Sequence, residues 1–147
     1  MTETMLGALF EFFGVCPLIS GNRLNIDYLP EGTKQAGIEY AIGLFPTDEV
    51  LRRYVDGGAH CRLPFVLSSV NDYGPDVRQN IENSGFYDAF AEWVREQSKK
   101  RAFPALPNGL TARSMRTIGP GYLFQPDADA GKYQIQCEIE YYRKGDR

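Results

Sequence analysis

The residues best suited to nucleophilic or metal chemistry are one histidine, His60, and three cysteines, Cys16, Cys61 and Cys137. A serine or cysteine nucleophile usually requires a histidine base, so His60 would have to serve any such site. No serine lies in a Gly-x-Ser-x-Gly elbow, and His60 closely follows the turn-forming residues Asp56-Gly57-Gly58. The sequence therefore predicts an exposed histidine near a turn and no catalytic residues.

Metal binding is disfavoured by the spacing of the same residues. A zinc site needs about four nitrogen or sulfur ligands. His60 and Cys61 are adjacent in a predicted strand, so they point to opposite faces, and Cys16 and Cys137 have no C-x-x-C partner. Three cysteines cannot all pair within one chain. We therefore expect reduced thiols and no metal site.

Motifs that hold phosphate or calcium are missing or incomplete. There is no Gly-x-x-x-x-Gly-Lys-Ser/Thr or Gly-x-Gly-x-x-Gly sequence, and Gly119-Pro120-Gly121 is interpreted as a bend within a strand. Asp127-Ala128-Asp129 with Glu138 resembles a calcium loop, but glycine stands at the fifth position of that loop instead of the sixth. A turn is the better interpretation, and we predict no cofactor.

Glu138 and Glu140 have the residue type of a glycosidase carboxylate pair, but they belong to the most regular strand pattern in the chain. The apolar positions of that pattern are Tyr133, Ile135, Cys137, Ile139 and Tyr141. The intervening positions are Lys132, Gln134, Gln136, Glu138 and Glu140. Strict alternation indicates one core face and one solvated, slightly acidic polar face, which is not a catalytic arrangement.

These residues must be positioned by two helices and several strands. Helical spacing extends from Thr2 to Phe13, with Thr2 or Thr4 available as a cap and an end at Gly14. A second helical pattern extends from Pro75 to about Lys100, with an interruption at Ser84-Gly85. Predicted strands cover Leu24–Tyr28, Gly37–Phe45, a hairpin of Glu49–Val55 and Ala59–Val70, Leu110–Phe124 and Lys132–Tyr142. Pro64 indicates an edge position or a bulge. We predict a single α+β domain over residues 1–147, with two helices on one face of a mostly antiparallel sheet of about five to six strands.

Bulk charge excludes some function classes. The 147 residues carry a net charge of −3, which gives no basic surface for sequence-specific DNA binding. No apolar run reaches the length of a membrane span, and Met1–Val15 lacks the features of a signal peptide, so we expect a cytosolic protein when it is made. Residues 1–73 carry five basic and nine acidic groups, and residues 74–147 carry eleven and ten. This difference is compatible with an ordinary solvated surface or with head-to-tail stacking of identical subunits.

Six short segments resemble a family of small tail-region proteins encoded beside minor capsid genes in phages and prophages of Gram-positive bacteria. The segments are Cys16–Gly21, Tyr54–Gly58, Tyr73–Val77, Asn80–Tyr87, Ala105–Gly109 and Tyr133–Cys137. Members of this family look like tail terminators and are also labelled minor capsid proteins. Some carry a chloramphenicol-resistance label, but that acetyltransferase chemistry uses a His-x-x-x-Asp-Gly motif, and Pro64 and Phe65 stand at its Asp and Gly positions after His60.

The resemblance implies a homo-oligomeric ring, usually of six subunits, that caps the tail tube and joins it to head-completion or connector proteins in the virion. It implies no active site, and it implies a lumen through which DNA passes without sequence-specific binding. A ring needs two complementary patches on each subunit, and its inner wall should be polar and not basic. The candidate residues for the lumen or a subunit seam are Gln134, Gln136, Glu138 and Glu140, or Asp56 at an acidic hairpin tip.

Two other functions remain open from the sequence. A head-to-tail connector or minor capsid completion protein would have a similar small α+β build and would differ in its position in the particle. A small-ligand-binding or transferase domain belongs to another class, and a tight ligand would raise its melting temperature.

Overall fold

The structure, a computed structural model, describes residues 4–19, 23–26, 39–45, 49–72, 77–126 and 130–145. In chain order its elements are α1 (Met5–Gly14), β1 (Arg23–Ile26), β2 (Glu39–Leu44), β3 (Glu49–Arg53), β4 (Ala59–Asp72), α2 (Val77–Lys100), β5 (Leu110–Pro126) and β6 (Ala130–Arg143). The strands form one six-stranded sheet in the order β1-β2-β4-β6-β5, with β3 also paired to β4. The β1–β2 pairing is parallel and the other described pairings are antiparallel. The predicted α+β class with a mostly antiparallel sheet is confirmed.

Parts of five sequence predictions fall outside the described residues. They are the helix start at Thr2, the end of the first strand at Asp27–Tyr28, the start of the second strand at Gly37-Ile38, the helix start at Pro75-Asp76 and the turn at Asp127-Ala128-Asp129.

The centre of the sheet is formed by β4 and β6, which pair along their whole lengths from Ala59↔Arg143 to Asp72↔Ala130. The five apolar positions predicted on β6 are all buried: Tyr133, Ile135, Cys137, Ile139 and Tyr141. A strand that is paired on both sides and buried on one face gives the clean alternation seen in its sequence.

Pro64 lies in the interior of β4, so the prediction of an edge position is wrong. The Phe45 N–H donates to the Pro64 carbonyl (3.3 Å), so the backbone nitrogen of Pro64 also faces the side of β2 and β3. The last pair of β2 is Leu44↔Phe65 and the first pair of β3 is Glu49↔Arg62. Pro64 therefore stands opposite the junction between two short strands, where the missing donor interrupts no regular ladder.

Helix α1 begins and ends as the sequence indicates. Thr4 is the N-cap, because its Oγ1 accepts a hydrogen bond from the Gly7 N–H (3.0 Å), and the last helical residue is Gly14. The buried residues Ala8, Leu9 and Phe13 are spaced to face the sheet.

Helix α2 is continuous over 24 residues, so the predicted interruption at Ser84-Gly85 is wrong. A glycine within a helix costs only about 1 kcal/mol relative to alanine. The turns that follow bury Tyr87, Phe90 and Val94, and this burial outweighs the local preference of Gly85.

Both helices lie on the same face of the sheet, as predicted. The Phe13 ring of α1 lies 5.6 Å from Phe65 of β4 and 5.6 Å from Phe90 of α2, measured between centroids. Trp93 contacts the same group, with its ring centroid 5.8 Å from that of Phe13. Further along α2, the Tyr87 hydroxyl bonds to the Ser69 hydroxyl of β4 (2.5 Å). The aromatic side chains of α2 are therefore mainly structural.

The predicted bend at Gly119-Pro120-Gly121 is a bulge in β5. Ile118 pairs with Gln136 and Tyr122 pairs with Gln134, so three residues of β5 stand opposite one residue of β6. Gly119 has φ +73°, and a Cβ at Gly121 would overlap the Cβ and Cγ of Tyr87. The two glycines let β5 turn sharply and approach α2 closely.

Candidate interaction surface

The sheet face opposite the helices carries the polar residues singled out from the sequence. We call it the open face and define it by His60, Arg62, Arg116, Tyr122, Gln134, Gln136, Glu138 and Glu140. The strand register aligns these residues in rows, such as Pro64–Glu138–Arg116 and Arg62–Glu140–Ser114. The open face thus combines residues from β4, β5 and β6 that are far apart in sequence.

Glu138 is buried, which corrects its prediction as a solvated residue. Its side chain lies between two arginines: the Arg116 Nε donates to one carboxylate oxygen (2.9 Å), and the Arg62 Nε lies 3.9 Å from the other. Only 4% of Glu138 is exposed, although neither helix covers this face. The long side chains beside it exclude water, and their positive charges compensate the burial of the carboxylate.

His60 is also more enclosed than an exposed residue near a turn. Its Nε2 lies 2.7 Å from a carboxylate oxygen of Glu140, and about a quarter of its side chain is exposed. Its neighbour Cys61 is buried on the other face, as predicted. Ser114 lies opposite Glu140 on the far side of β6, two strands or about 10 Å from β4. Because β6 lies between Ser114 and His60, these two residues and Glu140 do not form a Ser-His-acid triad.

The two glutamines share one partner on β5. The side-chain amides of Gln134 and Gln136 both donate to the Tyr122 hydroxyl, at 3.3 Å for Gln136. Tyr122 and its neighbour on the same face, Ile118, are each 40% exposed. This half of the open face therefore presents amide, hydroxyl and aliphatic groups, and Lys132 is the next β6 residue on the same face.

The eight residues that define the open face carry no net charge, whereas the sequence of β6 alone indicates a slightly acidic surface. Glu138 and Glu140 are balanced by Arg62 and Arg116, which come from the neighbouring strands. The strand alternation identifies the β6 residues correctly, but not the cations that the register brings beside them.

Asp56 lies at the opposite end of β6 from the glutamines. The turn is the predicted hairpin: the Tyr54 N–H donates to the Gly58 carbonyl (2.8 Å), and Gly57 has φ +89°. One carboxylate oxygen of Asp56 accepts the Gly58 N–H (2.8 Å). The turn that carries Asp56 lies next to the row His60↔Tyr142. Gln134 is eight residues from Tyr142, or roughly 27 Å along β6, so the structure does not bring Asp56 and the glutamines together.

The surroundings of Asp56 are basic, so the prediction of an acidic tip does not describe the whole corner. We call this corner the basic end and define it by Arg52, Arg53, Arg113, Arg143 and Lys144. Asp56 lines a shallow cavity of about 460 Å³ together with Tyr54, Val55, Arg113 and Tyr142. The sequence does not reveal this cluster, because its members come from the ends of three strands and the residue after β6.

The cysteines do not provide an activated nucleophile. All three are unpaired and buried. Burial raises the pKa of the Cys137 thiol, and it raises the pKa of Cys16 as well. A thiolate is the reactive form of cysteine, so these two thiols are held in the less reactive state. Within the described ranges, no group of three or more His, Cys, Asp and Glu residues is arranged to hold a metal ion.

Neither helix that the structure describes combines the length and apolar character needed to cross a membrane. A comparison of the chain with protein-family models gives no match, and a comparison with curated proteins gives none either.

Proposed function

We propose that this chain is a phage tail terminator, one subunit of a virion ring that caps the tail tube and joins it to the head-completion proteins. Two features support the proposal. The α+β fold with both helices on one face fits the small domain implied by the sequence resemblance. The open face is the broad, neutral, polar surface that a passage for DNA requires.

The neutrality of the open face carries the proposal. DNA binds non-specifically to proteins mainly through lysine and arginine contacts with its phosphates. On the open face, Arg116 and Arg62 lie beside Glu138, and His60 is paired with Glu140. The internal pairing reduces the attraction for phosphate without making the surface apolar. We therefore assign the open face to the lumen of the ring.

The direct test is native mass spectrometry and electron microscopy of the purified protein, alone and with tail tubes. The expected result is a closed ring of identical subunits, six in this proposal, bound at one end of each tube. A protein that stays monomeric and never binds tubes would contradict the proposal. Turnover of a small molecule that requires His60 or a cysteine would also overturn it.

A second test addresses the lumen assignment. The double substitution Gln134→Lys with Gln136→Lys adds two cations to the open face, and both positions are only partly buried. We expect rings to form and cap tubes, while the titre of phage complemented with this variant falls at least tenfold because DNA is held in the passage. The matched control is Val15→Lys, at an exposed position after α1, which should leave the titre unchanged. An unchanged titre for the double variant would remove the open face from the lumen.

The same material separates the two other functions. A connector or head-completion protein would be found on the head side of the neck, without direct contact with the tube. A small-ligand-binding or transferase domain would show a ligand-dependent rise in melting temperature, whereas a ring former would respond to its own concentration.

A further inference from the structure

The basic end concentrates positive charge on a chain whose net charge is negative. The last two rows of the sheet are Arg53–Ala59–Arg143–Leu110 and Arg52–His60–Tyr142–Thr111. Arg113 projects from the bulge between Ala112 and Ser114 and lies over the Tyr142 ring, 5.6 Å from its centroid. Among the described residues of this end, five are basic and one, Asp56, is acidic. The local net charge is +4, against −3 for the whole chain.

Exposed apolar groups lie beside these cations. Val55 is 98% exposed at the tip of the β3–β4 turn, and Tyr54 is 42% exposed. The rings of Tyr54 and Tyr142 lie 5.9 Å apart, next to Arg113. Tyrosine and arginine are the residues most enriched at the energetic centres of protein interfaces. Contact with a DNA phosphate backbone does not stabilise an exposed valine side chain. The combination of Val55, two tyrosines and several arginines therefore favours a protein partner over DNA.

The outer surface of α2 has the complementary character. Asp88, Glu92 and Glu96 are exposed and follow each other at four-residue intervals, so they form one stripe along the helix. We call it the acidic stripe. Arg95 forms an ion pair with Glu92, and the stripe keeps a net negative charge. The exposed small residues Gly85 and Ala89 lie beside it and leave room for projecting side chains such as Val55.

Asp88, at the N-terminal end of the acidic stripe, lies far from the basic end within one molecule. Tyr87, next to Asp88, packs against Gly121 of β5, which is eight residues along that strand from Arg113, or roughly 25 Å. The acidic stripe also belongs to the layer of helices, outside the plane of the sheet. Two different, complementary patches on one chain produce a head-to-tail contact between copies, and such a contact closes into a ring when the rotation allows it.

We propose that the basic end of one copy binds the acidic stripe of the next copy and forms the subunit seam of the ring. This inference rests on the proposed ring function and identifies the two surfaces that build it. Val55 and Tyr54 insert beside Gly85 and Ala89, and the arginines of the basic end lie against the carboxylates of α2.

The test uses two charge-reversed variants of the full chain. One carries Arg52→Glu and Arg53→Glu, and the other carries Asp88→Lys and Glu96→Lys; all four positions are exposed. We expect each variant alone to self-associate at least tenfold more weakly than the wild type, because like charges then face each other across the seam. An equimolar mixture should assemble again, since each reversed patch meets a reversed partner. Circular dichroism verifies that the single variants are folded.

Sedimentation velocity and electron microscopy of tube ends provide the readouts, at low and high salt. The control, Val15→Glu, introduces a negative charge at an exposed position outside both patches and should assemble like the wild type. If the wild type forms rings and the reversed variants form them equally well, the seam is wrong and the ring function stands. If the wild type neither assembles nor caps tubes, the ring function itself fails. Loss of binding to a short DNA duplex in the arginine variant, with assembly unchanged, would assign the basic end to nucleic acid instead and overturn the seam.

Discussion

Replacing Glu138 by glutamine tests the charge balance of the open face. The substitution keeps the size of the side chain and an oxygen that accepts the Arg116 Nε hydrogen bond, but it removes the negative charge between two arginines. Because Glu138 is almost fully buried, this charge is screened less by water and salt than a surface charge would be. We expect a clear loss of stability.

The magnitude follows from the exposure of the three side chains. Removing one partner from a fully buried ion pair costs about 3–5 kcal/mol. Here Arg116 is 64% exposed and Arg62 is 32% exposed, so both guanidinium groups stay partly hydrated after the substitution. We therefore expect Glu138→Gln to lower the free energy of unfolding by about 1–2 kcal/mol. For a chain of this length, that corresponds to a decrease in Tm of roughly 2–8 °C.

Urea unfolding of a double-mutant cycle measures the interaction directly. Combined with Arg116→Gln, the cycle should give a coupling energy of about 0.5–1.5 kcal/mol. The cycle with Arg62→Gln should give less, because the Arg62 Nε lies 3.9 Å from the Glu138 carboxylate, whereas the Arg116 Nε lies 2.9 Å from it. The control is Glu92→Gln, which removes the carboxylate of an exposed ion pair on α2 and should cost no more than about 0.5 kcal/mol.

An equal cost for Glu138→Gln and Glu92→Gln would contradict a buried, charge-balanced Glu138. Loss of the coupling between Glu138 and Arg116 in 0.5 M salt would contradict it as well, since that behaviour belongs to a solvated pair.

Three further predictions concern stability. Gly121→Ala should destabilise the fold by about 2 kcal/mol or more, because the new methyl group overlaps Tyr87. Gly85→Ala in α2 should stabilise the fold by about 0.5–1 kcal/mol, because its methyl group meets no other part of the structure within 4 Å. Urea unfolding compares the two variants, and equal effects would contradict the close approach of Gly121 to Tyr87. Arg101 has φ +56° at the end of α2, so Arg101→Gly should gain about 0.5–1 kcal/mol while Arg101→Ala should gain nothing. Burial raises the pKa of Tyr40 to about 12, so between pH 10 and 12 the folded state keeps the Tyr40 proton while the unfolded chain loses it. The contribution of Tyr40 to the free energy of unfolding should be fully present below pH 10 and fall by up to about 1.4 kcal/mol per pH unit between pH 10 and 12. Tyr40→Phe should make that decline shallower in urea titrations, and an unchanged slope would count against it.

The elements that the sequence predicts well are those whose signal is local. Alternation along β6 identifies its buried face residue by residue, and Asp56-Gly57-Gly58 marks the hairpin turn because Gly57 takes up a positive φ. The first helix carries both its cap at Thr4 and its end at Gly14. Each of these signals depends on residues within a few positions of one another.

Features that depend on packing or register were not predictable in this way. Helix α2 continues through Ser84-Gly85 because later turns are anchored on the sheet, and Pro64 is tolerated in a central strand because it faces the junction of β2 and β3. The burial of Glu138 requires Arg62 and Arg116 on either side, from strands far away in sequence. Local patterns identify hairpin partners such as β3 and β4, but not which strands from distant parts of the sequence become neighbours.

The position of β6 in the sheet affects how the chain can fold while it is being translated. β6 is the last of the six strands to be translated, yet it lies between β4 and β5 and pairs with both. Until it leaves the ribosome, one long edge of β4 has no partner and attracts other strands, which is a common route to misfolding on polysomes. Nascent chains are therefore most prone to aggregate after β4 has emerged and before β6 has left the ribosome.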